Sequence, residues 1–97
     1  MKRIEDNEKR LDKLSKIVSK LNNNLVNFED LIQDYYSLNE YYGSKEWFQD
    51  KDAFESGKIK NIKAGVLSED AVWNLDENIK DLIIKMEEII KLYKNNW

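Results

Sequence analysis

The sequence predicts an all-α fold: a long helical hairpin of two antiparallel helices, joined by a short helical crosspiece into something like a three-helix bundle. Three observations carry this. Apolar residues recur at heptad spacing over two long segments, the sequence mark of helices that bury one seam. The 97 residues include no proline and only three glycines, so helix breakers are nearly absent. Those glycines, Gly43, Gly57 and Gly65, all fall between the two periodic segments.

The first segment runs from about residue 2 to 42. Ile4, Leu11, Val18, Leu25 and Ile32 occupy one seam position, and Leu14, Leu21, Phe28, Tyr35 and Tyr42 the other. Only Asn7 and Asn39 interrupt the series. Ile17, Leu31 and Leu38 widen the seam towards the broader stripe of a bundle helix. The asparagine run Asn22–Asn24 has indifferent helix propensity, but the seam keeps phase across it. A continuous helix, bent if anything, is the expectation; a break at the asparagines is the alternative.

Gly43 suits the left-handed residue that closes such a helix. Ser44 can cap a short helix over about 45–56, with Glu46 near its positive end and Trp47 and Phe54 on its inner face. Gly57 ends it by the same logic as Gly43. Residues 58–67 have no period and read as a connection, with Ile59, Ile62 and Val66 turned inward. Ser68 is placed to cap the last helix, about 69–94, and Leu67 and Val72 have the spacing of a hydrophobic staple. Val72, Ile79, Met86 and Tyr93 then alternate with Leu75, Leu82 and Ile89 along a second seam. Trp97 at the end is either an anchor one turn beyond Tyr93 or a frayed residue.

Composition excludes several functions. A chain this short forms one small domain, and 36% charged residues beside 41% hydrophobic ones suit a solvated helical protein. The net charge of −3 is unevenly spread: residues 1–21 carry +3 and residues 22–42 carry −4. No basic surface of the size a nucleic acid requires is present, so none is expected as partner. No apolar run is long enough for a membrane span, and the start lacks the apolar core of a signal peptide. A cytoplasmic protein is the expectation. With no histidine and no cysteine, the imidazole base, the thiolate nucleophile and nearly all zinc sites are ruled out.

The middle of the chain carries a resemblance. Tyr41-Tyr42, Ser44, Trp47, Asp50, Glu55-x-Gly57 and above all Gly65-Val66-Leu67-Ser68-Glu69-Asp70 resemble the DUF4298 family of small bacterial proteins. So do the length, the layout and the Met-x-Arg-Ile start. Lys60, where the family pattern has proline, and Phe54, where it has an acid, depart from it. The resemblance implies no activity, cofactor or catalytic residue.

The candidate chemistry is therefore carboxylate, hydroxyl, amine and phenol. Asp50 lies beside the face buried by Trp47 and Phe54, where an unpaired charge would cost several kcal/mol. Either it is satisfied structurally, by backbone N–H groups of 65–68, a tyrosine hydroxyl or an indole, or it joins Glu55, Glu69 or Asp70 in a ligand or magnesium site. Eight of the eleven aromatics lie between Tyr35 and Trp73. They form a satellite core, and neighbours such as Tyr35-Tyr36, Tyr41-Tyr42 and Trp47-Phe48 cannot all face inward. Tyr36, Tyr41, Trp47 and Phe48 are accordingly candidate contacts for another protein. Because the last helix is shorter, the turns carrying Ile4 and Leu11 overhang, and a homodimer through them is expected, with Arg3 and Arg10 facing the acidic 22–42 segment. No cofactor, metal or catalytic residue is assigned. The two functional expectations are a non-catalytic interaction module and, alternatively, a carboxylate-based ligand or metal site at the 44–70 crosspiece.

Overall fold

A computed structural model describes residues 1–96; Trp97, with the anchor reading attached to it, lies outside the described residues. The elements run in the order α1 (Lys2–Asp30), α2 (Ile32–Tyr41), α3 (Lys45–Glu55), a single 3-10 turn (Gly65–Leu67) and α4 (Ala71–Asn95). Among the described residues there is no strand. The all-α class is as predicted. No helix of the described residues is long and apolar enough to cross a membrane.

The first segment differs from the expected single helix over 2–42. Asn22–Asn24 stay helical, and the interruption falls instead at Leu31. Its backbone sits at φ −91°, ψ 0°, and its N–H is shared between the carbonyls of Asn27 and Phe28, both at 3.1 Å. Such sharing is the usual tightening of a last helical turn. Tyr35 N–H in turn reaches Leu31 O at 3.1 Å, so helical bonding resumes at once. The disturbance is one residue long.

The chain divides into two compact units, residues 1–36 and a second beginning at Ser37. The first unit contains α1 and the start of α2, and it has no buried residue. Ile4, Leu11, Leu14, Val18 and Leu21 are all more than half exposed, and Leu25 nearly so. Only Phe28, Ile32 and Tyr35 along this seam are half-buried.

The second unit holds the core. Trp47 of α3, Leu67 of the 3-10 turn and Val72 of α4 are its buried side chains, at 4%, 7% and 4% exposure. The 3-10 turn packs against both α3 and α4 and so joins the three. Local signals put these elements in place. Ser44 has extended backbone, and its Oγ accepts the N–H of Trp47 at 3.2 Å, the cap that starts α3. Gly57 ends α3 at φ +80°, with Lys58 N–H on Ala53 O and Gly57 N–H on Phe54 O. That pair of bonds is a Schellman motif, and it explains the glycine. Ser68 Oγ accepts from Ala71 N–H at 3.1 Å, and the helix begins at Ala71, two residues later than the sequence suggests. Leu67 and Val72 are both buried, as the staple requires. Beyond Val72 the α4 seam opens: Ile79 and Met86 are half-buried, while Leu82, Ile89 and Tyr93 are exposed. Lys80 pairs with Asp76 and Glu77, one turn earlier on α4.

Candidate functional site

The residues singled out around the crosspiece meet in the second unit, where α2 ends, α3 lies across and the 58–70 connection returns. Tyr41 and Tyr42 leave α2 together, one residue apart, and therefore point to different places. The Tyr41 hydroxyl donates to Asp50 Oδ2 on α3 at 2.6 Å. The Tyr42 hydroxyl donates to the carbonyl of Glu69, just ahead of α4. From α3, the Trp47 indole N–H donates to the carbonyl of Val66 at 2.9 Å. Three aromatic side chains thus fasten α2 to α3, α2 to the start of α4, and α3 to the 3-10 turn. Each places a polar tip on a carboxylate or backbone acceptor while its ring fills space, the use to which buried Tyr and Trp are best suited.

Ring contacts reinforce the clasp. Trp47 meets Tyr42 edge-on at 5.2 Å and Phe48 edge-on at 4.9 Å. Lys51, one turn after Trp47, lies over the indole at 5.2 Å and pairs with Glu69 Oε1 at 2.9 Å. That hydrogen bond raises the Lys51 pKa and lowers that of Glu69. The phenol of Tyr41 is pushed up to about 12, first because its proton is held by Asp50, then by burial and by the Asp50 charge.

Two shallow pockets flank the clasp. One, of about 280 Å³, is lined by Tyr41, Asp50, Ile59, Ile62, Lys63, Ala64, Val66 and Leu67. The other, of about 220 Å³, lies between Lys51, Phe54, Glu55 and the Ala64–Ser68 turn.

The candidates separate accordingly. Asp50 has a tyrosine hydroxyl as partner, one of the structural options the sequence left open. Trp47 is buried and serves the core, so it is no exposed contact. Phe48 is well exposed and presents its outer face. Tyr36 is also exposed, but it belongs to the first unit, where its ring tilts against Tyr35 at 5.9 Å. Glu69 is exposed and paired with Lys51, and Glu55 lines the second pocket. Asp70 occupies the geometric N-cap of α4 without a side-chain capping bond. These carboxylates do not converge: among the described residues no group of three or more His, Cys, Asp or Glu is placed to hold a metal ion. Ile4 and Leu11 stand exposed on α1. Two participants escape a reading of the sequence, Lys51 and Lys63. The spacing of Lys51 one turn from Trp47 could have found the first, since such pairs meet on a helix face; nothing local marks the second.

Comparison with curated proteins and with solved structures finds no match to this chain. A family model does match, over residues 4–89, which takes in nearly all of α1, the whole clasp and most of α4. The chain belongs to the family defined by the domain of unknown function DUF4298.

Proposed function

We propose that the protein is a non-catalytic helical interaction module of the cytoplasm, serving as a subunit, adaptor or small inhibitor of another protein. One observation carries this reading. The heptad seam of α1 stands exposed from Ile4 to Leu25 on a helix with no buried residue, although its spacing is that of a buried surface. The seam suits an amphipathic partner helix that offers apolar side chains at the same spacing. The clasp around Trp47 gives the second unit a fixed core, with Phe48 as an exposed aromatic contact there and Tyr36 as another in the first unit. The test is capture from a lysate of the native host with the parent and with Leu14→Ser/Leu21→Ser. A protein identified with the parent and lost with the variant supports the module; one retained equally by both counts against the seam.

The second reading is a small-ligand site in the 280 Å³ pocket, favoured by the Tyr41–Asp50 pair and Lys63 on its wall. Magnesium, manganese and calcium are expected to give no micromolar binding by calorimetry, because Asp50, Glu55, Glu69 and Asp70 do not converge. A micromolar affinity abolished by Glu69→Ala or Asp70→Ala would reverse the ranking of the two readings.

A further inference from the structure

We infer that the pocket beside Tyr41 and Asp50 takes a free α-amino acid with a branched apolar side chain, its ammonium on Asp50 and its carboxylate at Lys63. The inference rests on the small-ligand reading above and names the ligand class for that site.

Local chemistry builds the walls. After α3 the chain turns back at Asn61, whose φ of +62° asparagine adopts more readily than most side chains. Ile59 and Ile62 fall on either side of that turn, and both line the pocket. Val66 and Leu67 of the 3-10 turn complete the apolar wall, and Ala64 is too small to fill the space. This wall is fixed, because the Trp47 indole holds the Val66 carbonyl at 2.9 Å and Leu67 belongs to the core. Every lining residue lies in the second unit, so nothing here depends on α1.

Charge selects the ligand. Asp50 is half-buried, and its Oδ2 accepts the Tyr41 hydroxyl at 2.6 Å. Among the described residues it has no other hydrogen-bond or ion partner, which leaves Oδ1 for a cationic donor. Hydrogen bonds in which both groups are charged are the stronger kind. A bare amine is opposed here, however. Residues 56–68 carry Lys58, Lys60 and Lys63 and no acidic side chain. None of the three is ion-paired among the described residues, and Lys63 lines the pocket. A bare acid would in turn face Asp50. A molecule with both charges satisfies both sides, and an α-amino acid carries them on one carbon together with an apolar branch for the Ile59–Leu67 wall.

Size agrees. The pocket of about 280 Å³ is nearly twice the cavity of about 150 Å³ that holds benzene. Leucine, with about nine non-hydrogen atoms, has the bulk for such a space. So small a ligand in an open pocket should bind with a Kd of about 1 mM.

The test titrates the full chain, carrying methyl-labelled isoleucine, leucine and valine, with three compounds: leucine, isoamylamine (leucine without its carboxylate) and isocaproate (leucine without its ammonium). Leucine should shift the Ile59, Ile62 and Val66 methyl signals to saturation and leave those of Ile4 and Val18 in place. Isoamylamine should bind about threefold or more weaker, since Lys63 is exposed, and isocaproate about tenfold or more weaker. Asp50→Asn keeps an acceptor for the Tyr41 hydroxyl but loses the charge. It should weaken leucine about tenfold and leave isocaproate no weaker. Lys63→Ala should weaken leucine about threefold and leave isoamylamine no weaker. Trp47 fluorescence verifies that both variants are folded. Leucine bound equally by the parent and Asp50→Asn overturns the inference. If either analogue saturates as tightly as leucine, the amino acid is overturned while the small-ligand site stands. Pocket methyls unmoved by all three at about 20 mM overturn both, since a Kd of about 1 mM would be saturated there.

Discussion

At the scale of single residues, the Tyr41–Asp50 bond is the most informative contact, because it gives a carboxylate beside the buried face of α3 a structural partner. A phenol whose pKa is near 12 when folded and near its usual 10.0 when unfolded stabilises the fold fully below pH 10 and loses that contribution as pH rises through 12. Spectrophotometric titration should therefore show one tyrosine ionising late, and Asp50→Ala should return it towards the others. The same substitution should destabilise the protein by about 1–2 kcal/mol at neutral pH, since it leaves a half-buried hydroxyl without its charged acceptor. A variant that melts like the parent would mean Asp50 is not structural. The sequence made half of this contact legible. The place of Asp50 between Trp47 and Phe54 demands a partner; that the partner is Tyr41, nine residues away around the Gly43 corner, depends on the path of the chain there. Lys51 was legible in spacing but not in consequence, because its bond to Glu69 spans 18 positions.

At the scale of elements, boundaries marked by side-chain chemistry fall close to where the sequence puts them. Ser44, Gly57 and Ser68 each act through a local bond that their residue type alone suggests. The interruption at Leu31 was not legible, since leucine is a good helix former and neither glycine nor proline stands near. The converse error was equally available at Asn22–Asn24, where weak propensity is overridden within a long helix. Glycines divide the same way. At Gly57, φ +80° makes any side chain strained, and Gly57→Ala should cost about 1 kcal/mol in thermal or denaturant unfolding. Gly65 has no such φ and an added Cβ would meet nothing within 4 Å, so Gly65→Ala should be neutral or slightly stabilising. Equal losses at both positions would show that Gly65 serves something other than backbone geometry.

At the scale of the whole molecule, apolar burial is unequally shared. The second unit has Trp47, Leu67 and Val72 as a small core with hydrogen-bonded aromatic fasteners, whereas the first has none. An isolated helix without tertiary packing is marginal in water, so α1 must take much of its stability from whatever covers its seam. Hydrogen exchange measures this directly, because amides open locally with a free energy set by the contacts around them. At about 5 μM the amides of residues 11–30 should exchange far faster than those around Trp47 and Val72. At about 500 μM, mass action should slow the α1 amides by tenfold or more if a second copy covers the seam, while leaving the clasp unchanged. The contrast between the two segments within one sample removes any general effect of concentration. Protection of α1 that equals that of the clasp at both concentrations would place its support within the single chain and remove the need for a partner.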